Sequence, residues 1–145
     1  MRRLIIAGLA VFLSLSTVPA ALTADLAVRI IVHPQVKGSQ IPRAAVAAIF
    51  LKQAPRWNDG TPVVPVDQSV KSPVRSTFSN RVLGQPLMDV QIYWQRKMSV
   101  GMTPPPVKTS DEEVIAFVAS TPGSIGYVST GAAVPDSVKA IEILN

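Results

Sequence analysis

Apolar residues along this chain recur in two rhythms, and their alternation outlines the fold. From Leu26 to Val32 the positions are almost continuously apolar and rich in Val and Ile, until His33-Pro34 stops them. Such a run is expected of a strand buried on both faces, which requires helices above and below it. Pro42 suits a first helical turn, and Val46, Ile49 and Phe50 recur at helical spacing, predicting a helix from about Pro42 to Lys52. Trp57-Asn58-Asp59-Gly60 then turns the chain into a Val-rich strand, Pro62 to Asp67, whose prolines cannot donate ladder hydrogen bonds.

Helical spacing returns after Ser72-Pro73, where Ser is expected to cap the free amides and Pro to occupy the first turn. Val74, Phe78 and Val82 mark one face of that helix, and Gly84 ends it. Pro86 opens the next, striped by Leu87, Val90, Trp94 and Met98. Gly101 to Val107, with three consecutive prolines at 104–106, predicts an extended connector. Ser110 and Glu113 have the spacing of a capping box ahead of Val114, Phe117 and Val118. Ser124 to Ser129 and Val138 to Leu144 are the last two predicted strands, divided by a loop from Gly131 to Asp136. The order is strand, helix, strand, three helices, strand, strand, which predicts an α/β sandwich in one domain.

Only the first 24 residues break this pattern. Arg2 and Arg3 precede a mostly apolar stretch from Leu4 to Val18 and a small-residue exit from Pro19 to Ala24. That is the order of zones in a secretory signal, with cleavage expected after Ala24 and Ala20 as the alternative. The apolar run falls short of the roughly 20 residues that a spanning helix needs, so no membrane insertion is expected after cleavage. With no cysteine in the chain, neither lipoprotein attachment nor a disulfide is available.

Removing the leader leaves 121 residues, 25–145, with twelve basic and nine acidic side chains and a net charge of +3. This mild excess favours anionic ligands or surfaces. The basic residues are scattered, without a cluster interleaved by aromatics, so nucleic acid is not an expected partner. The single histidine, His33, has no cysteine or paired acid around it and is read as capping a strand end. Asp111, Glu112 and Glu113 are read as complementing a helix dipole. Trp57 and Trp94 are read as packing residues. No nucleophile elbow, triad spacing or metal-ligand pattern is present, so no catalysis and no cofactor are expected.

Chemistry is best placed in the loop from Asp67 to Arg75. It follows a strand, leads into a helix, and holds Gln68, Ser69, Lys71, Ser72 and Arg75 within eight positions. Free amides and the positive dipole end at a helix start hold phosphate, sulfate or carboxylate. The plainer alternative is that Ser72 only caps the helix while Lys71 and Arg75 are solvated charges.

Taken together, Ile49-Phe50-Leu51, Trp57-Asn58-Asp59-Gly60, Val64-Pro65-Val66-Asp67, Phe78 and Thr121-Pro122-Gly123-Ser124-Ile125-Gly126-Tyr127-Val128 resemble the second lobe of the phosphate-binding subunit of bacterial ABC transporters. The resemblance implies a type 2 periplasmic binding fold: a three-layer sandwich with a mixed sheet and helices on both faces. It implies a small free-standing single lobe, half of a two-lobed clamp, since the family's first lobe would precede residue 26. A secreted, non-enzymatic binding module follows, with phosphate or another small oxyanion as ligand. The alternative is a periplasmic interaction or scaffold protein that has lost the ligand. A homodimer or a protein partner would cover the exposed cleft side. With Phe78 as anchor, the family's loop Arg falls on Gln68 and its Ser-Gly-Thr on Ser72-Pro73-Val74, so only the Ser is retained.

Overall fold

The computed structural model describes residues 28–145. The leader read at 1–24, its cleavage site and the first residues of the expected opening strand lie outside the described residues. Twelve short elements follow: β1 (Val28–Val32), β2 (Gln40–Pro42), α1 (Arg43–Phe50), β3 (Val64–Pro65), β4 (Asp67–Gln68), α2 (Pro73–Phe78), a π-helical turn (Ser79–Leu83), α3 (Leu87–Met98), β5 (Val107–Lys108), α4 (Asp111–Ser120), β6 (Ser124–Ser129) and β7 (Lys139–Leu144).

Five strands form a mixed sheet in the order β2-β7-β1-β6-β3. β1 runs antiparallel to both β6 and β7, whereas β2 is parallel to β7 and β3 to β6. Side-chain alternation divides the central strands between two cores. Ile30 and Val32 of β1 join Ile125 and Tyr127 of β6 against Phe50 of α1, Phe78 of α2 and Trp94 of α3. Ile31 and Val128 face the other way, with Val66, onto Val114 and Val118 of α4. The result is a three-layer sandwich, with three helices on one face and one on the other.

Gly126 sets how near α4 approaches the sheet. A Cβ there would lie 2.6 Å from Val114 Cγ1 and 2.9 Å from Val66 Cγ1. Only glycine admits two β-branched side chains that close to a strand. On the opposite face, Tyr127 stacks on Phe78 with ring centroids 3.8 Å apart, and Phe50 meets both rings edge-on. This aromatic cluster anchors the helical layer to β6.

Several elements depart from the sequence expectation. Pro42 closes β2 rather than opening α1, which ends at Phe50, with Lys52 in a left-handed conformation at φ 54°. The strand expected over 62–67 divides, because β3 pairs with β6 while β4 leaves the sheet to pair in parallel with β5. β5 comes from the end of the expected proline connector; Pro106 donates nothing, but its carbonyl accepts from Asp67 N–H at 2.8 Å. Met98, expected in the core, is half exposed in the last turn of α3. The capping box at α4 forms with a shift: Ser110 Oγ accepts from Glu113 N–H at 3.2 Å, while Glu113 accepts from Thr109 N–H at 2.8 Å.

Candidate functional site

β3 delivers the chain through Val66 to β4, whose two residues are both buried polar groups. Parallel pairing with β5 sets Asp67 opposite Val107 and Gln68 opposite Lys108. Ser69 N–H then bonds to Lys108 O at 2.9 Å, and a tight turn brings Ser72 N–H to Ser69 O at 2.8 Å, ahead of Pro73 at the start of α2. Asp67 and Gln68 are thereby held in strand and Pro73 to Arg75 in helix, with Ser69 to Ser72 turning between them.

Inside that turn the polar side chains are bonded to the protein itself. Arg75, only 4% exposed, donates from Nε to Asp67 Oδ1 at 3.0 Å. The same carboxylate oxygen accepts from Tyr127 O–H and, at 2.8 Å, from Gln68 N–H. Gln68, 2% exposed, donates from Nε2 to Tyr127 O at 2.9 Å and to Asp111 Oδ1 at 2.8 Å, and accepts from Ser72 O–H at 2.9 Å. Arg75 Nη1 is buried without a hydrogen-bond partner. Burial pushes the Asp67 carboxyl above its ordinary range; the Arg75 charge, the Tyr127 hydroxyl and the Gln68 amide oppose it, in that order. The Tyr127 hydroxyl is also raised, first by burial and then by the neighbouring Asp67 charge.

Of the five residues singled out in the sequence, Gln68 and Ser72 bond directly to each other, and Arg75 joins them through Asp67. Ser69 is half buried and accepts from Lys71 N–H at 3.3 Å, while the Lys71 side chain stands exposed. Ser72 makes no side-chain cap, because its hydroxyl is turned to Gln68 instead of the free amides of α2.

Four further residues complete the cluster and were not singled out for it: Asp67, Tyr127, Asp111 and Ser129. Tyr127 carried a signal, since a phenol in an otherwise apolar buried strand has to find a polar partner. Asp111 carried none. It occupies the first turn of α4 as expected of a dipole-complementing acid, but its carboxylate accepts from Gln68 and Ser129.

Trp57 ties two of the recognisable sequence stretches together. Its indole N–H donates to Gly123 O at 3.0 Å, and the same carbonyl accepts from Val64 N–H at 3.1 Å. Two surface concavities lie elsewhere. One, of about 720 Å³, runs along α3 between Asp89, Tyr93 and Val100; the other, about 530 Å³, opens between Ile41, Ala45 and Trp57. Neither is lined by Gln68, Ser72 or Arg75. Among the described residues no group of three or more His, Cys, Asp or Glu is placed to hold a metal ion, and no helix is long and apolar enough to cross a membrane.

The family model for the PBP superfamily domain matches residues 27–142. No curated protein matches the sequence. Among solved structures, PstS from Borrelia burgdorferi is similar with a TM-score of 0.64 at 19% identity, over 83% of this chain and 48% of that one. A protein described as a phosphate ABC transporter substrate-binding protein with bound phosphate, from Clostridium perfringens, gives 0.63 at 17%, over 82% and 46%. An ABC-type phosphate transport receptor from Vibrio cholerae gives 0.62 at 18%, over 82% and 48%. The chain spans under half the length of each, so the shared architecture is that of one lobe of the type 2 periplasmic binding fold.

Proposed function

This chain belongs to the PBP superfamily, and on that premise we propose that it is a non-enzymatic binding module whose ligand side, around Gln68, Ser69, Lys71, Ser72 and Arg75, takes a small oxyanion such as phosphate only weakly. The observation that carries this reading is the internal use of the strongest donors. Gln68 Nε2 and Ser72 Oγ are bonded within the cluster, and the Arg75 guanidinium is bonded to Asp67. An incoming anion has to compete with bonds already made, which leaves Ser69 and Lys71 as its accessible partners, since the orphan Arg75 Nη1 is itself buried. Titration of the wild-type chain with phosphate is expected to give a dissociation constant from millimolar to high micromolar, about −4 to −6 kcal/mol. Submicromolar affinity would refute the reading.

A second reading, an interaction or scaffold module, is favoured by one observation. Val70 and Val107, flanking the cluster, are both more than half exposed. A second copy or a protein partner over this side would remove that apolar surface from water. Export rests on the zones of residues 1–24, with 25–145 as the working domain. Native material is expected to begin near Asp25, and light scattering on the same sample reads its association; an intact Met1 and a monomer at high concentration would count against export and partnering respectively.

A further inference from the structure

Asp111 is surrounded as a bound anion would be. Its Oδ1 accepts from Gln68 Nε2 at 2.8 Å and from Ser129 N–H at 3.3 Å; its Oδ2 accepts from Ser129 O–H at 2.6 Å and Ser129 N–H at 3.2 Å. The donors come from β4 and from the end of β6, while the carboxylate comes from the first residue of α4. A side-chain amide, a hydroxyl and a main-chain amide converging on two oxygens form the kind of neutral donor set that holds a carboxylate or other oxyanion. Gln68 is 2% exposed, so the hydrogen it gives to Asp111 has no ready substitute in water.

We infer that Asp111 is the resident anion of this donor set and the residue that keeps free oxyanions out of it. This inference rests on the weak-binding reading above and names a cause for the weakness. Asp111 acts in two ways. It fills the space and takes the hydrogen bonds, with no translational freedom to lose, because it is tethered to its donors. It also adds a negative charge beside the Asp67–Arg75 pair, and that charge opposes an arriving anion at this donor set.

The test is Asp111→Ala in the full chain, titrated with formate, whose carboxylate matches the group removed, and with phosphate. Formate is expected to bind the variant at least tenfold more tightly than wild type and to raise its melting temperature saturably, whereas chloride at equal ionic strength does not. Asp111→Asn keeps the size and one acceptor, so it should show no such gain. If Asp111→Ala does not fold, Asp111→Ser, which also vacates the carboxylate but keeps an acceptor, carries the same titration. A folded Asp111→Ala or Asp111→Ser that takes formate and phosphate no better than wild type overturns the inference. The outcomes remain distinguishable: tight phosphate binding by wild type refutes the weak-binding reading, while a wild type and variants that are equally weak refute only the role of Asp111.

Discussion

Arg75→Ala is expected to destabilise the chain by about 3–5 kcal/mol, the usual cost of removing one partner from a buried ion pair. Arg75 is among the residues from which anion binding was expected, yet its guanidinium is the only cation bonded to Asp67 among the described residues. Without it, Asp67 keeps the Tyr127 hydroxyl and the Gln68 amide but loses its counter-charge in a buried site. The pH dependence gives the prediction a sign. Burial already raises the Asp67 carboxyl above 3.8, and the Arg75 charge is the largest effect holding it down. In the variant the folded-state value rises further, so the folded form favours the protonated carboxyl. The charge part of the deficit is therefore present above the variant's folded value and is lost as pH falls from that value to the lower wild-type one, which itself stays above 3.8. Urea unfolding at pH 7 and pH 4.5, followed by tryptophan fluorescence, reads both effects. An equal loss at the two pH values would show that the damage is a packing defect and not an unpaired charge. Replacing both residues together by apolar side chains of similar volume should recover much of the stability.

The second large effect is expected at Gly123, where Ala should cost about 3–5 kcal/mol. Its φ is +76°, a conformation that is strained for any residue with a Cβ. An added Cβ would also lie 2.4 Å from Pro62 O, a backbone atom with no rotamer in which to retreat. The strain falls where Gly123 O receives both the Trp57 indole and Val64 N–H, so relief by backbone movement would cost those bonds. Thermal unfolding of Gly123→Ala beside Gly131→Ala, where an added Cβ meets nothing within 4 Å, isolates the effect. A Gly123→Ala protein that melts with wild type would show that the Pro62 segment moves freely.

These two positions illustrate how far local pattern reaches. The buried strand Val28–Val32, the helical stripes of Val46, Ile49 and Phe50 and of Val114 and Val118, and the sandwich architecture all follow from periodicity, since a residue's face is set by its spacing within one element. The loop that joins Gln68 to Arg75 was equally visible, because strand end, turn and proline-started helix are contiguous in the chain. The short pairings were not. β2, β4 and β5 are two or three residues long, too short for a period to register, and each exists only because a partner strand lies alongside.

Hydrophobic spacing and turn chemistry within short windows were enough to read the layers of the sandwich and the place of a polar loop from the sequence. Tertiary structure alone decided what that loop's side chains do. Asp67 meets Tyr127 across 60 positions, Gln68 meets Asp111 across 43, and Asp111 meets Ser129 across 18. Whether Gln68 and Arg75 face a ligand or the protein's own carboxylates depends on where α4 and β6 deliver those carboxylates. That is a property of packing, and no local pattern carries it.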